Sequence, residues 1–167
     1  AFHAYANADL VISVSPGLAR AYLDGGLPES KLRRVPNAVD TNRFRPATDE
    51  ERAALRQELR LPHERRVVLF VGYFSTDKRP DLLYDAWSRV YANRNSILVF
   101  VGATESSYKE VNAAMAPAIR GRAEAEGRAN DVMFVAPTRA IEKYYRAADV
   151  YVLPSRREGL PIALLEA

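Results

Sequence analysis

The sequence predicts an α/β fold, a doubly wound parallel sheet with helices on both faces. Three observations carry that expectation. Four short apolar runs, at 67–71, 97–101, 132–135 and 150–153, read as strands buried on both sides. Segments with apolar residues at helical spacing alternate with them, as a parallel sheet with crossover helices requires. The chain has 167 residues, 48% apolar and 27% charged, which is enough to bury a core.

The elements follow in order. Leu10-Val-Ile-Ser-Val14 is a short β-rich run. Ser15-Pro16 opens a helix, with Ser as the cap and Pro at the first helical position, and Gly25-Gly26 ends it. Residues 32–47 carry Pro36 and Pro46 without a sustained period and read as an extended connector. Thr48-Asp-Glu-Glu51 is a capping box for a helix holding Ala53, Ala54, Leu55 and Leu59. After the strand at 67–71, Pro80 starts a helix with Leu82, Leu83, Ala86, Trp87, Val90 and Tyr91 on one face. After the strand at 97–101, Ser107 and Glu110 cap a helix with Val111, Ala114, Met115, Ala118 and Ile119, in which Pro117 is expected to introduce a kink. Ile141, Tyr144 and Tyr145 belong to a helix between the third and fourth strands. Pro161 opens the last helix. Trp87 is expected in the core, with Tyr144 and Tyr145 packing their helix on the sheet.

Composition removes several chemistries. There is no cysteine, so disulfide frameworks, zinc fingers and thiol nucleophiles are excluded. The two histidines, His3 and His63, stand far apart in sequence, which argues against a histidine metal site. No uncharged apolar run approaches the roughly 18 residues of a membrane span. A formal charge of +3, with acids spread throughout, is weak ground for nucleic acid and suits a phosphate-bearing small molecule as well. Arg33-Arg34 and Arg65-Arg66 read as solvated strand flanks. Ala1 is not a start methionine and the chain stops inside a helical pattern, so a fragment is expected.

Ligands of such sheets bind outside the carboxyl ends of the strands. The first of these loops, Gly72-Tyr-Phe-Ser-Thr-Asp-Lys78, lacks both the G-x-G-x-x-G dinucleotide fingerprint and a P-loop. It retains a strand-end glycine and a lysine just before a helix. An ammonium there suits a phosphate, because helix amides and dipole favour the same charge; a solvated loop lysine is the plainer reading. The second constellation is Pro154-Ser-Arg-Arg-Glu158-Gly-Leu-Pro161-Ile-Ala-Leu-Leu-Glu166. Gly159 permits close backbone approach to a ligand, and Pro161 fixes a helix start. Glu158 and Glu166 read either as acceptors for sugar hydroxyls or as ordinary exposed acids at a helix start.

Residues 148–155 (Ala-Asp-Val-Tyr-Val-Leu-Pro-Ser), followed by Glu158-Gly-Leu-Pro-Ile-Ala-Leu-Leu-Glu166, resemble the E-x(7)-E signature of glycosyltransferase family 4. These are retaining transferases of the GT-B fold. Residues 35–46 resemble that family's inter-domain segment, and residues 70–78 the first loop of its nucleotide-binding domain. The three matches stand in family order.

The resemblance implies one incomplete, Rossmann-like half of a two-domain GT-B enzyme. Residues 1–34 would end the N-terminal acceptor-side domain, 35–47 would connect, and 48–167 would form the donor-binding domain, truncated at its C-terminus. The donor would be a nucleotide-diphosphate sugar, bound as substrate without cofactor or metal. By similarity Gly72, Tyr73 and Lys78 would bind the substrate, with Lys78 at the diphosphate, stabilising the leaving group. Glu158 would hold donor-sugar hydroxyls, with the backbone of Gly159 and Leu160 near sugar and phosphate. Glu166 would bind the ribose, and Ala136, Pro137 and Thr138 would lie against the base. The family often has Arg directly after the first-loop glycine; here Tyr73 stands there, leaving Lys78 more of the diphosphate, or Arg79 to assist. The acceptor would be a saccharide, a lipid-linked saccharide or a small molecule. The implied setting is cytoplasmic, with attachment to the inner face of a membrane as the alternative. A silent sugar-nucleotide-binding relative and a GT-B-fold sugar-nucleotide epimerase are the competing readings, and the isolated fragment is expected to be inactive.

Overall fold

The computed structural model describes residue 5 and residues 7–90, 95–106 and 109–167. The expectations attached to His3, Tyr91 and Ser107 fall outside those residues. The chain divides into two compact units: Ala1–Val39 with Glu158–Leu165, and Asp40–Arg157 with Glu166–Ala167.

In the first unit, β1 (Val11–Ser13) and β2 (Leu32–Arg34) pair in parallel, Val11 opposite Leu32 and Ser13 opposite Arg34. Helix α1 (Pro16–Asp24) makes the crossover. Ser15 caps it, its hydroxyl accepting from the Leu18 amide at 3.2 Å, with Pro16 at the start and Gly25 at the end, as the sequence predicts. Strand β2 lies in the segment expected to be a connector. Its three residues, two of them exposed arginines, carry no apolar alternation. Its pairing comes instead from the backbone, which continues with the Val35 amide donating to the Ser13 carbonyl at 2.9 Å.

The second unit holds a four-stranded, all-parallel sheet in the order β5-β4-β3-β6, formed by β3 (Arg66–Val71), β4 (Ser96–Val101), β5 (Val132–Val135) and β6 (Val150–Tyr151). Because side chains alternate along a strand, the apolar runs feed two cores. Val68, Phe70, Leu98 and Phe100 face one side, where α3 (Pro80–Val90) and α4 (Met115–Ala125) pack. Val67, Leu69, Ile97, Val99 and Val101 face the other, against α2 (Asp49–Glu58) and α5 (Ile141–Ala147). Leu69, Leu98 and Val99 are wholly buried, each worth roughly 1.5–3 kcal/mol of transfer free energy.

The capping box forms at Thr48 and Glu51, with both reciprocal hydrogen bonds present. Trp87 is buried and donates from Nε1 to Ser96 Oγ at 3.0 Å. Tyr144 and Tyr145 pack α5 against the second core.

Three expectations are corrected. On α3 the buried face is Pro80, Leu83, Tyr84 and Trp87, whereas Leu82, Ala86 and Val90 form an exposed stripe. The two stripes have similar spacing, and the sheet contacts the one carrying the aromatic volume. Helix α4 begins at Met115, so Pro117 stands in the first turn, where its missing N–H removes no intrahelical bond and no kink is required. Arg65 is not a solvated flank: its guanidinium donates to the Ser96 carbonyl and pairs with Asp131 at 2.6 Å, because β4 and the turn just before β5 bring both acceptors to it.

Candidate functional site

The chain runs outward from β3 to β4 and β5, then returns to place β6 on the far side of β3. The switch point therefore lies between β3 and β6, where open parallel sheets leave a crevice at the strand ends. The loop from Gly72 to Lys78 leaves β3 at this point, and the segment after β6 approaches it: the Arg156 amide donates to the Asp77 carbonyl at 2.7 Å. Ser75 is buried and closes the turn, its hydroxyl accepting from the Lys78 amide at 3.1 Å and its carbonyl from the Arg79 amide at 3.0 Å. Lys78 is thus half-buried immediately before α3. Its ammonium lies 5.6 Å from the centroid of the exposed Tyr73 ring, within cation–π range.

The strand exits are laced together. The Gly72 amide donates to the Val101 carbonyl at 3.0 Å, the Phe74 amide to Ala103 at 2.9 Å, and the Gly102 amide to Val135 at 3.0 Å. The Asn112 amide, ahead of α4, donates to the Phe74 carbonyl at 2.7 Å. Gly102 is essential to this lacing. A Cβ there would stand 2.0 Å from the Gly72 carbonyl oxygen, and its φ of +151° suits glycine. Gly102 is not among the site residues expected from the sequence. The available signal was that β3 and β4 both end in Val-Gly.

Ala136, Pro137 and Thr138 are exposed after β5, with Thr138 Oγ1 accepting from the Ala140 amide at 3.1 Å. Glu166 is half-buried and belongs to the same unit, beside Tyr145. Burial, then the neighbouring Tyr151 and the Glu166 carboxylate, push the Tyr145 phenol up. The Tyr145 and Tyr151 rings meet edge-on at 5.3 Å, so this carboxylate stands against an aromatic wall. Glu158, Gly159 and Leu160 belong to the other unit. There the Leu160 carbonyl accepts from Asn37 Nδ2 at 2.7 Å, and Glu158 is exposed. Gly72, Tyr73 and Lys78 therefore share one loop, and Ala136–Thr138 follow a strand of the same sheet.

A cavity of about 460 Å³ opens beside the first loop, lined by Tyr73, Ala103, Ser106, Glu110 and Val111. Among the described residues, no group of three or more His, Asp or Glu side chains is arranged to hold a metal ion, and no helix is long and apolar enough to cross a membrane.

Residues 51–167 match the family described as glycosyl transferases group 1. The chain is 29% identical, over 98% of its length, to mannosylfructose-phosphate synthase of Agrobacterium fabrum. It is 32% identical, over 97% of its length, to D-inositol 3-phosphate glycosyltransferase of Geodermatophilus obscurus. Each alignment covers 36% of the relative, so the chain spans about a third of these proteins. Among solved structures, sucrose-phosphate synthase from Thermosynechococcus elongatus is similar with a TM-score of 0.76 at 28% identity, over 96% of this chain and 38% of that one. The Anabaena protein Alr3699/HepE in complex with UDP-glucose is similar with a TM-score of 0.76 at 20% identity, over 90% of this chain and 39% of that one, a likeness of fold.

Proposed function

The chain belongs to the group 1 glycosyl transferases and folds as part of their GT-B architecture, and on that footing we propose that it supplies most of the donor side of a retaining, family 4 enzyme. That enzyme moves a sugar from a nucleoside-diphosphate sugar to a hydroxyl of its acceptor. The observation that carries this reading is the loop from Gly72 to Lys78 at the switch point of a parallel sheet, with a half-buried lysine beside a helix start.

The chemistry follows from charge. As the glycosidic bond lengthens, positive charge grows on the sugar ring and negative charge on the departing diphosphate. Groups that meet the second charge, and meet it better in the transition state than before it, lower the barrier. Lys78 is a fixed cation for that task, with the backbone of Gly72 and Tyr73 beside it. Glu166 accepts from ribose hydroxyls, and Ala136, Pro137 and Thr138 bound the base. Glu158, with the backbone of Gly159 and Leu160, binds the hydroxyls of the donor sugar. Tyr73 cannot supply a second permanent charge, so the effect of losing Lys78 should be large.

The names of the curated relatives, mannosylfructose-phosphate synthase and D-inositol 3-phosphate glycosyltransferase, support a small hydroxylated acceptor over a lipid-linked one. A cytoplasmic setting fits a sugar-nucleotide donor.

Turnover by the full-length protein tests the proposal. Lys78→Ala is expected to lower kcat about 10²–10³-fold while the donor KM moves little, as for loss of a charge-stabilising group. Glu166→Ala is expected to raise the donor KM about tenfold, the loss of one charged hydrogen-bond acceptor. Wild-type kinetics in both variants would refute the assignment. Donor binding without turnover would make the protein a silent relative. Release of free nucleotide with an altered sugar and no acceptor would make it an epimerase.

A further inference from the structure

We infer that Tyr145 is a positioning residue of the donor site: its buried hydroxyl donates to the Glu166 carboxylate and holds that carboxylate ready for the ribose. The inference rests on the proposed function, since it takes Glu166 to be the ribose acceptor. Tyr145 acts through Glu166 and not on the substrate.

The phenol is an unused donor. Its oxygen is buried, and among the described residues no hydrogen bond of ordinary geometry reaches it. A buried hydroxyl left in that state costs stability, and a phenylalanine would fill the same space without the cost. Burial first, then Tyr151 and Glu166, push the group up, so it stays protonated and able to donate. Of those two neighbours Glu166 is the better acceptor, because a carboxylate accepts more strongly than a second phenol.

The two ends of the contact are held differently. Tyr145 stands in α5 and packs against the second core. Its ring meets Phe44 edge-on at 5.9 Å and Tyr151 at 5.3 Å, which fixes its place. Glu166 ends a helix of five residues, Ile162–Glu166, too short to be rigid by itself. The anchored phenol therefore orients the carboxylate. One lone pair of the carboxylate goes to the phenol and the others remain for the ribose hydroxyls. An acceptor fixed beforehand loses less freedom when the nucleotide binds.

The test is calorimetric binding of UDP, GDP and ADP, each against its 2′,3′-dideoxy analogue, to the full-length protein. The wild type is expected to prefer the ribose form of the nucleotide it binds, and Glu166→Ala to erase that preference. Tyr145→Phe should reduce the preference about three- to tenfold, the loss of one hydrogen bond, and leave the dideoxy analogue unaffected. Added to Glu166→Ala, it should change nothing further. Its thermal midpoint should be no lower than that of the wild type, because the free protein has no ordinary hydrogen bond to lose there. Full ribose preference in Tyr145→Phe, an equal loss for both forms of the nucleotide, or a further loss on top of Glu166→Ala would each overturn the inference and leave the proposed function standing. No nucleotide binding by the wild type, or full preference in Glu166→Ala, would bring down the proposed role of Glu166 and this inference with it.

Discussion

Gly102→Ala puts the lacing of the strand exits to the test. The added Cβ would meet the Gly72 carbonyl oxygen at 2.0 Å, its carbon at 2.6 Å and its nitrogen at 3.3 Å. All three are backbone atoms, so no side chain can swing aside. The φ of +151° adds a conformational cost of about 1–3 kcal/mol for a residue with a Cβ. Pushing the end of β3 away resembles overpacking, which costs about 1–3 kcal/mol. Together these predict a loss of about 2–6 kcal/mol, a large share of the stability of an ordinary domain. The displaced segment carries Lys78, so kcat should fall as well. Gly121→Ala is the matched control. It lies inside α4 with nothing within 4 Å of the added carbon, and should stabilise by about 0.4–1 kcal/mol. Urea denaturation of the full-length variants, followed by tryptophan fluorescence from the buried Trp87, reads both. Gly102→Ala within about 0.5 kcal/mol of wild type, the ordinary range for a neutral surface substitution, would refute the reasoning.

Two further outcomes are expected. Arg56 is buried and donates to the carbonyls of Ala147, His63 and Arg65 and, at 2.7 Å, to Asp149, whose same oxygen accepts from the Val67 amide at 2.6 Å. Arg56→Ala strands these acceptors and should cost about 3–5 kcal/mol in urea denaturation, while Arg56→Met should cost less; a loss under about 1 kcal/mol for the alanine variant would contradict the role. Glu51 accepts from Arg45 and from the Thr48 amide, and is held down to about 2 from an ordinary 4.5. Its folded value lies below its unfolded one, so its contribution is present above pH 4.5 and drains away as pH falls toward 2. The thermal midpoint should therefore drop over that window, and Glu51→Gln should flatten part of the drop; parallel curves would contradict it.

The sheet was legible because its physics is local. A strand buried on both faces must be apolar throughout, and 67–71 and 97–101 are; 132–135 is equally apolar yet only half-buried, because β5 lies at the edge of the sheet. Thr48 with Glu51, and Ser15 with Pro16, announce helix starts within four residues of chain. What escaped depends on distant partners. Strand β2 is three residues held by backbone pairing to β1, with no apolar alternation to betray it. The choice between the two stripes of α3 is made by the sheet, not by the helix. Arg65 looks solvated until β4 and the turn just before β5 deliver a carbonyl and a carboxylate to it. At the candidate site the loop and its lysine could be named from sequence. Ser75 as the residue closing the turn, and Gly102 as the spacer that lets two strand ends meet, are set by backbone geometry that residue type alone does not encode.

The most direct test is a crystal structure of the full-length protein with the nucleoside diphosphate that its donor releases. The account predicts Lys78 Nζ within hydrogen-bonding distance of a phosphate oxygen and the Glu166 carboxylate on the ribose hydroxyls. A diphosphate bound away from the loop that follows β3, with Lys78 in solvent, would contradict it.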